Sequence, residues 1–487
     1  MPLILPGNVA SATAAVGYNV ANSCRFNDGD SAKMSKSLGT ATDNQKWTIN
    51  VWVKLGQLGT NRAIWTSRPG TSGNYVNCIF NDDDKIYIYG PQVNGENDFG
   101  YITNRLFRDP SAWYCLTFAM DTTLGTAGDR LRIYVNGVEE TSFATETNPT
   151  QNLIYGANYT GYTFVVGART DDSEFFDGYQ AEFCMIDGQQ LTPTSFGEFD
   201  SDSPSIWKPI DVSGLTFGDN GFYLDFEASG NLGNDANGGT DLTEANLAAA
   251  DQSTDSPTNN FATGNPLNWG TSWSGSLSNG NNTLTGSSSS NTYNTLFSTI
   301  AVNTGKWYAE FKITTSDMNF LLGVSTPEAA QISAQTNKIP SSTYISTGHG
   351  YGLSLADGVL YFQNNGSVGQ TDISGDGSQN DIIGIYLDLD NNKLYFGLNG
   401  TVLASGVGET IVNDYYHFHA GDGAAGAAAS GQMNFGANGA FGDTAVSSAV
   451  ADTNGYGAFE YDPSAGTFDS ASKNFLALCT KNVAEEG

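Results

Sequence analysis

The sequence is poor in positive charge. Lysine and arginine together number 20 against 51 aspartate and glutamate residues, which gives a formal net charge of −31 at pH 7. Phosphate backbones and anionic lipid surfaces repel such a chain, so the composition argues against nucleic-acid binding and polybasic membrane attachment. The negative charge itself predicts a well-solvated surface, with cation binding as the alternative.

Cysteine and long apolar runs are also scarce. The five cysteines are scattered and form no Cys-x-x-Cys pair, so neither a disulfide framework nor a zinc motif is predicted. Cys115 and Cys184 lie in apolar runs, where buried free thiols are expected. No run approaches the ~20 apolar residues of a membrane span, and MPLILPGNVASATAAV lacks the positive start of a signal peptide. We therefore expect synthesis in a cytoplasm, release by lysis and no membrane insertion.

Glycine, by contrast, is abundant at 58 residues and clusters with Asn, Asp, Ser and Thr, which are turn-forming residues. Between these turn signals, alternating runs recur, among them WTINVWVKL (47–55), KIYIYG (85–90), WYCLTFAM (113–120) and RLRIYVNG (130–137). Short alternating strands at this spacing bury one face against a second sheet, so the pattern predicts an all-β protein built of antiparallel sandwiches.

Five segments are predicted along the chain, and changes of composition mark the two boundaries near its middle. Residues after 200 become rich in Gly, Asn, Asp, Ser and Thr, and strand patterns return after about 270, as in DIIGIYLDLDNNKLYFGLNG (381–400) with a hairpin signal at Asn391-Asn392. The predicted segments are an N-terminal docking arm (1–20), a sandwich (21–200), a connector (201–270) with an added strand at 221–226, a second sandwich (271–443) and a C-terminal extension (444–487).

Blocks of residues in both halves resemble known families. WTINVWVK (47–54), LRIYVNGVEE (131–140) and FFDGYQAEFCMIDGQQLTP (175–193) resemble the laminin-G/concanavalin A-like lectin-glucanase superfamily. GKWYAEF (305–311) and the 381–400 run resemble SPRY domains, which bind partner proteins through loops and are not enzymes. The two resemblances imply two concanavalin A-like antiparallel β-sandwich (jelly-roll) domains in tandem.

The connector and the end FLALCTKNVAEEG (475–487) resemble segments of tail and fibre proteins of tailed phages, marine ones especially. This resemblance implies a virion structural or adhesive protein: a tail fibre, an appendage or a capsid decoration. Its implied partners are other virion proteins, further copies of itself with a trimer favoured, and a host surface glycan or protein. The alternative is a polysaccharide-binding or glycoside-hydrolysing protein of the concanavalin A-like superfamily.

Catalytic patterns are missing from the sequence. A retaining hydrolase needs two carboxylates about 5 Å apart, which this superfamily supplies as Glu-x-Asp-x-Glu on one strand face. The nearest run, EFDSDS (198–203), lacks the last glutamate, and no nucleophile elbow or phosphate loop occurs. We therefore predict that the protein is not an enzyme.

Two groups of side chains are candidates for binding. Tyr155, Tyr159 and Tyr162 lie in a Gly/Asn-rich loop and could stack on sugar rings, with core packing or an oligomer contact as the alternatives. His417 and His419 in HFH share one strand face, which binds a metal only if a third ligand approaches. Ordinary strand residues are the alternative reading of that pair.

Calcium is the one cofactor that the sequence suggests. Oxygen-rich acidic loops suit this ion, and laminin-G-like domains often bind it at a rim. None of the three acidic loops has the order of an EF-hand, so solvated acidic loops are the alternative reading. The candidate ligands are Asp28 and Asp30 in NDGDS, Asp82, Asp83 and Asp84 in NDDDK, and Asp171 and Asp172 in TDDSE.

Overall fold

The computed structural model describes residues 17–69, 75–91, 93, 98–268, 275–286, 295–328, 348–422, 430–469 and 473–486. The chain divides into two compact units, an N-terminal unit that ends at Thr258 and a C-terminal unit that starts at Asn259. Both units are built almost wholly from antiparallel strands, which confirms the predicted fold class. None of the helices in the described ranges is long and apolar enough to cross a membrane.

The N-terminal unit contributes the first eighteen described strands. They are β1 (Ser23–Phe26), β2 (Lys33–Ser37), β3 (Lys46–Leu55), β4 (Arg62–Arg68), β5 (Val76–Phe80), β6 (Ile86–Pro91), β7 (Asp98–Thr103), β8 (Trp113–Asp121), β9 (Leu131–Val135), β10 (Val138–Glu139), β11 (Phe143–Thr147), β12 (Thr163–Val166), β13 (Gly178–Asp187), β14 (Gly197–Phe199), β15 (Trp207–Pro209), β16 (Phe222–Leu224), β17 (Thr243–Ala245) and β18 (Gln252–Ser253).

Two sheets of the N-terminal unit enclose one core. The first sheet has the order β10-β9-β8-β3-β13-β1-β18, with β16 added to β13, and the second has the order β11-β7-β6-β5-β4-β12-β2-β17. Aromatic side chains fill the space between them: the Trp65 ring lies 5.8 Å from that of Trp47 and stacks at 5.5 Å on Phe164. Alternate residues of each strand enter this core, as a half-buried sheet requires.

The C-terminal unit is a second pair of sheets. Its strands are β19 (Ser276–Ser278), β20 (Thr283–Thr285), β21 (Thr295–Val302), β22 (Lys306–Ile313), β23 (Phe320–Ser325), β24 (His349–Ser354), β25 (Val359–Asn364), β26 (Ser367–Asp372), β27 (Ile382–Asp388), β28 (Lys393–Leu398), β29 (Thr401–Val402), β30 (Glu409–Thr410), β31 (Tyr416–Asp422), β32 (Ser430–Asn434), β33 (Ala440–Phe441), β34 (Thr444–Ala445) and β35 (Leu476–Ala477), followed by helix α1 (Thr480–Glu486).

The third sheet has the order β19-β20-β32-β22-β27-β28-β29, with β30 on β28 and β35 parallel to β22. The fourth sheet has the order β21-β31-β23-β24-β25-β26. The predicted hairpin at Asn391-Asn392 is confirmed, since β27 and β28 pair up to Asp388 opposite Lys393. Asn136-Gly137 forms the turn that joins β9 to β10, with φ of 49° and 77° at its two residues.

The outer faces of two sheets are covered by chain from the same unit. On the first sheet, Trp52 and Tyr179 pack with Val20 and Trp207, and residues 196–217 cover a neighbouring cluster. Residues of the predicted C-terminal extension cover the third sheet through the rings of Phe459, Phe468 and Phe475, which meet Tyr308 and Tyr386. Residues 1–16 of the predicted docking arm lie outside the described residues.

Residues 201–258 differ from the predicted connector because they complete the first sandwich. The strand expected at 221–226 is present as β16, and β17 and β18 extend both sheets. Phe226 and Leu242 enter the core, and Asp255 forms a buried ion pair of 2.6 Å with Lys54. Composition is misleading here because the segment has few apolar residues, yet those few are buried and its polar residues are hydrogen-bonded.

All five cysteines are buried and free, as expected for Cys115 and Cys184. Burial raises the pKa of the Cys78 thiol well above its ordinary value. These thiols are therefore packing groups rather than reactive ones at neutral pH.

Candidate functional site

The outer face of the second sheet carries a group of partly exposed tyrosines. In β6, Ile86 and Ile88 point into the core, so the intervening Tyr87 and Tyr89 point to the opposite face. Tyr75, just before β5, lies beside Tyr89. We call Tyr75, Tyr87 and Tyr89 the tyrosine patch.

The rings of the tyrosine patch are in mutual contact. Tyr87 and Tyr89 stack with their centroids 4.1 Å apart at 21°, and Tyr75 meets Tyr89 edge-on at 5.7 Å and 79°. Gly100 on β7 lies opposite Tyr89 in the register of the sheet. The result is a small aromatic platform held on a rigid sheet.

Hydrogen bonds fix the orientation of the Tyr89 ring. Asn77 on β5 is its partner in register, and Asn77 Nδ2 donates to Tyr89 Oη at 3.2 Å. Thr66 on β4 in turn donates to Asn77 Oδ1 at 2.6 Å. Because Asn77 and Thr66 are fully buried, this relay holds the exposed ring from below.

Charged groups border the tyrosine patch. The Arg169 guanidinium lies 5.5 Å from the Tyr75 ring centroid, within the range of a cation–π contact. Arg169 also pairs with Glu174 at 3.2 Å and with Asp171 at 3.5 Å, and Asp171 lies 3.6 Å from Arg68. Asp171 and Glu174 are thus paired with arginine, whereas Asp98 lies near Tyr87.

The hydroxyls of Tyr87 and Tyr89 are neutral at physiological pH. Burial, with a contribution from Tyr75, raises the pKa of Tyr87. Burial also raises the pKa of Tyr89 to about 12, against a lowering effect of its hydrogen bond to Asn77. Neutral hydroxyls both donate and accept hydrogen bonds, so the platform combines an apolar ring face with polar edges.

The loop tyrosines selected from the sequence lie elsewhere. Tyr155 and Tyr162 are buried in the core, where Tyr155 meets Phe99 edge-on at 4.9 Å. Tyr159 is only partly buried and contacts Tyr162 at 5.2 Å. Core packing, the alternative reading, is what the structure shows for Tyr155 and Tyr162, because the apolar sheet faces close over this loop.

In the first two calcium loops, Asp30 and Asp84 are bound by other groups of the chain. Asp30 accepts a hydrogen bond of 2.5 Å from Asn27. Asp28 lies next to the buried Asp177, whose pKa is raised to about 7 by burial and by the negative charge of Asp28. Asp84 is buried and bound by Arg62 at 3.0 Å and by Arg108 at 2.9 Å, which leaves it committed to cations of the chain itself.

The remaining candidate ligands are mostly exposed. Asp82 and Asp83 lie in the turn before β6, and Asp83 pairs with Lys85 at 3.4 Å. Asp172 is bound by Lys33, and Asp171 by arginine as described above. Within the described ranges, no group of three or more His, Cys, Asp or Glu side chains is placed to hold a metal ion.

The sequence carried a signal for the tyrosine patch that composition alone obscured. In KIYIYG, the alternation of isoleucine and tyrosine puts every tyrosine on the face away from the core. Tyrosines in a loop have no such periodicity, so nothing in LIYGANYTGYTF tells which ring is exposed. The support from Asn77 and Thr66 depends on strand register, which a single sequence does not reveal.

Comparison with known proteins places part of this unit in a family. Residues 27–194, which include the tyrosine patch, match the profile described as the concanavalin A-like lectin/glucanases superfamily. The N-terminal unit contains a concanavalin A-like lectin domain. No curated protein matches the chain.

Several solved structures are similar to this chain at low identity. The laminin alpha1 chain of mouse, domains LG4-5, is 10% identical over 86% of this chain and 88% of that one, with a TM-score of 0.30. The SPRY domain of human HERC1 is 15% identical over 31% and 87%, with a TM-score of 0.23. A putative carbohydrate binding protein of Bacteroides ovatus is 15% identical over 47% and 61%, with a TM-score of 0.32.

Proposed function

We propose that this chain is a non-catalytic adhesive component of a phage particle, and that its lectin domain binds a host surface glycan through the tyrosine patch. The observation that carries the proposal is the stacked pair Tyr87–Tyr89, which is partly exposed and is held from below by Asn77. Such a platform offers an apolar surface to a sugar ring and hydroxyls to its edges.

The chemistry around the patch favours binding over hydrolysis. A glycosidase needs one carboxyl to donate a proton and a second to act as nucleophile or base. Of the carboxylates beside the patch, Asp171 and Glu174 are each paired with Arg169, and Asp98 lies near Tyr87. Among the described residues around the patch, two of these three carboxylates are thus held in ion pairs with arginine, an arrangement that suits binding better than hydrolysis.

The virion role rests on the sequence. The resemblance of residues 201–270 and 475–487 to phage tail and fibre segments supports it. The net charge of −31 suits a protein that works in a salty medium, where repulsion between acidic surfaces is screened. In this role the chain is made in the host cytoplasm, assembles as a homo-oligomer with other virion proteins and leaves the cell by lysis.

Glycan binding is tested with point variants of the full chain. The protein is applied to an array of bacterial lipopolysaccharides, capsular polysaccharides and algal polysaccharides, and the dissociation constant is measured for the strongest binder. We expect Tyr89→Ala and Tyr87→Ala to weaken binding by about fivefold each, since an aromatic contact contributes roughly 1 kcal/mol. Tyr361→Ala, on β25 of the C-terminal unit, is the matched control and should bind as the wild type does. Equal affinity of all four proteins would refute glycan binding through the tyrosine patch.

The non-catalytic role and the virion role are each tested by a separate experiment. Release of reducing ends from the bound polysaccharide, above that of a heat-denatured sample, would contradict the non-catalytic role. Mass spectrometry of purified particles, together with the mass of the isolated protein in solution, tests the virion role. If the chain is missing from the particles, the virion role is refuted, while the proposal of glycan binding is unaffected.

A further inference from the structure

Two histidines of β31 lie on the outer face of the fourth sheet. Tyr416, Phe418 and Ala420 of this strand enter the core of the C-terminal unit, so the intervening His417 and His419 point the other way. Both side chains are buried, with 1% and 0% of their surface exposed. The pair predicted from HFH to share one face therefore does so, in a place shielded from water.

The hydrogen bond of His417 defines which ring nitrogen is free. His417 Nδ1 lies 2.8 Å from the backbone carbonyl oxygen of Ser298, an acceptor only, so Nδ1 carries the proton and donates it. His417 Nε2 then presents a lone pair, and this buried atom has no hydrogen-bond partner. An imidazole that donates one N–H to a carbonyl and leaves the other nitrogen open is the arrangement found in metal-ligating histidines.

His419 adds two more unpaired ring nitrogens. Neither Nδ1 nor Nε2 of His419 has a hydrogen-bond partner. Both imidazoles flank the Phe297 ring, at 6.3 Å for His417 and 6.2 Å for His419, so the two rings lie along the same part of the sheet. On β23, Ser325 is opposite His417 in register, and its buried Oγ is also without a partner.

The unpaired atoms together describe an incomplete coordination shell. His417 donates its Nδ1 proton to the Ser298 carbonyl, and both rings are buried away from water, a setting that favours neutral imidazole. Neutral imidazole is the form that ligates metals. Buried polar atoms without partners are costly, which gives a bound ligand a reason to occupy this place.

We propose that His417 and His419 form a binding site for one late first-row divalent transition-metal ion, with Nε2 of His417 and a ring nitrogen of His419 as its protein ligands. Residues two apart on a strand have Cα atoms about 6.7 Å apart, a spacing that two imidazoles span when each reaches a shared ion at about 2.1 Å. Two nitrogen ligands favour zinc, nickel or copper over calcium or magnesium, which take oxygen. Ser325 Oγ and small molecules entering with the ion complete the shell.

The site is tested with the full chain and the metal alone. Protein freed of metal with a chelator is incubated overnight with ZnCl₂ or NiCl₂, because the buried imidazoles exchange slowly, and is then desalted and analysed for bound metal. We expect about one ion per wild-type chain and a loss of about tenfold or more in His417→Gln and His419→Gln. His349→Gln is the matched control, since His349 lies at the end of β24 with Asn364 as its partner at 3.3 Å, and it should retain the ion.

A second measurement does not depend on the folding of any variant. X-ray absorption of the metal-loaded wild type reports the number of imidazole ligands, and we expect two. No stoichiometric ion in the wild type, equal retention by the two glutamine variants, or fewer than two imidazoles in the spectrum would each overturn the proposal. Calcium in place of a transition metal would overturn it as well.

Discussion

Two buried glutamates occupy corresponding sequence contexts in the two units. Glu182 on β13 and Glu310 on β22 both stand in Ala-Glu-Phe, and each accepts a hydrogen bond from a tyrosine, Tyr223 at 2.7 Å and Tyr308 at 3.1 Å. Burial raises the pKa of Glu182 to about 8 and that of Glu310 to about 7. The sequence pattern placed both residues on strands, but a glutamate is ordinarily exposed and its burial depends on the chain that covers the sheet.

The raised pKa of Glu182 makes the stability of the N-terminal unit depend on pH. A carboxyl whose pKa is higher in the folded than in the unfolded chain stabilises the fold below its ordinary pKa of 4.5, and this contribution is lost as the pH rises through about 8. Glu182→Gln keeps an acceptor for Tyr223 but does not titrate. We therefore expect the wild-type melting temperature to fall more steeply than that of the variant between about pH 5 and pH 8. The corresponding difference in the free energy of unfolding is on the order of a few kcal/mol.

Thermal unfolding followed by circular dichroism in buffers across that range measures the difference. Glu198→Gln is the matched control, because its side chain is 59% exposed and forms only a surface pair with Lys208. Wild type, control and Glu182→Gln with the same pH slope would show that the buried carboxyl does not titrate in this range.

At the scale of elements, two Asn-Gly turns have the same backbone conformation but different surroundings. Asn136-Gly137 joins β9 to β10 and Asn365-Gly366 joins β25 to β26, and all four residues have positive φ. The sequence predicts the first as a hairpin because this dipeptide tolerates the left-handed conformation. It does not predict that the Trp207 ring packs on Gly137, where an added Cβ would come within 2.3 Å of ring carbons.

This difference predicts unequal effects of the same substitution. Gly366→Ala introduces only backbone strain, since an added Cβ would meet nothing within 4 Å, and should cost about 1 kcal/mol. Gly137→Ala adds the clash with Trp207 to that strain and should cost about 2–4 kcal/mol. Urea unfolding monitored by tryptophan fluorescence gives both values. Equal losses in the two variants would mean that Trp207 moves aside without cost.

The positions of the strands could be predicted from periodicity in the sequence. Their register depends on tertiary contacts and could not be predicted. The runs around Trp47, Trp113 and Leu131 became β3, β8 and β9, since alternation is local. Register across β4, β5 and β6, which places Asn77 beneath Tyr89, depends on residues distant in sequence. The binding face therefore became visible only when the strands were paired.

For the whole molecule, the chain divides after Thr258 rather than at the composition change near 200. Residues 201–258 look like linker because polar residues dominate, yet β16 pairs with the central strand β13 and Phe222 and Leu224 lie in the core. A segment need not be rich in apolar residues to belong to a domain. A few well-placed ones suffice when the existing sheets leave room for them.

Fragments of the chain test where the N-terminal unit ends. We expect residues 1–258 to fold alone and to unfold cooperatively, because this fragment keeps all eighteen strands described for the unit. Residues 1–200 should aggregate or show no cooperative transition. That fragment lacks Phe222, Leu224 and Leu242, each worth about 2 kcal/mol when buried, and it leaves Lys54 buried without Asp255. A marginal stability of about 5–15 kcal/mol does not absorb these losses together.

Differential scanning calorimetry and near-UV circular dichroism distinguish the cases, and residues 259–487 serve as a control for expression of a single unit. A cooperative transition in residues 1–200, at the temperature seen for residues 1–258, would return residues 201–258 to the role of a connector.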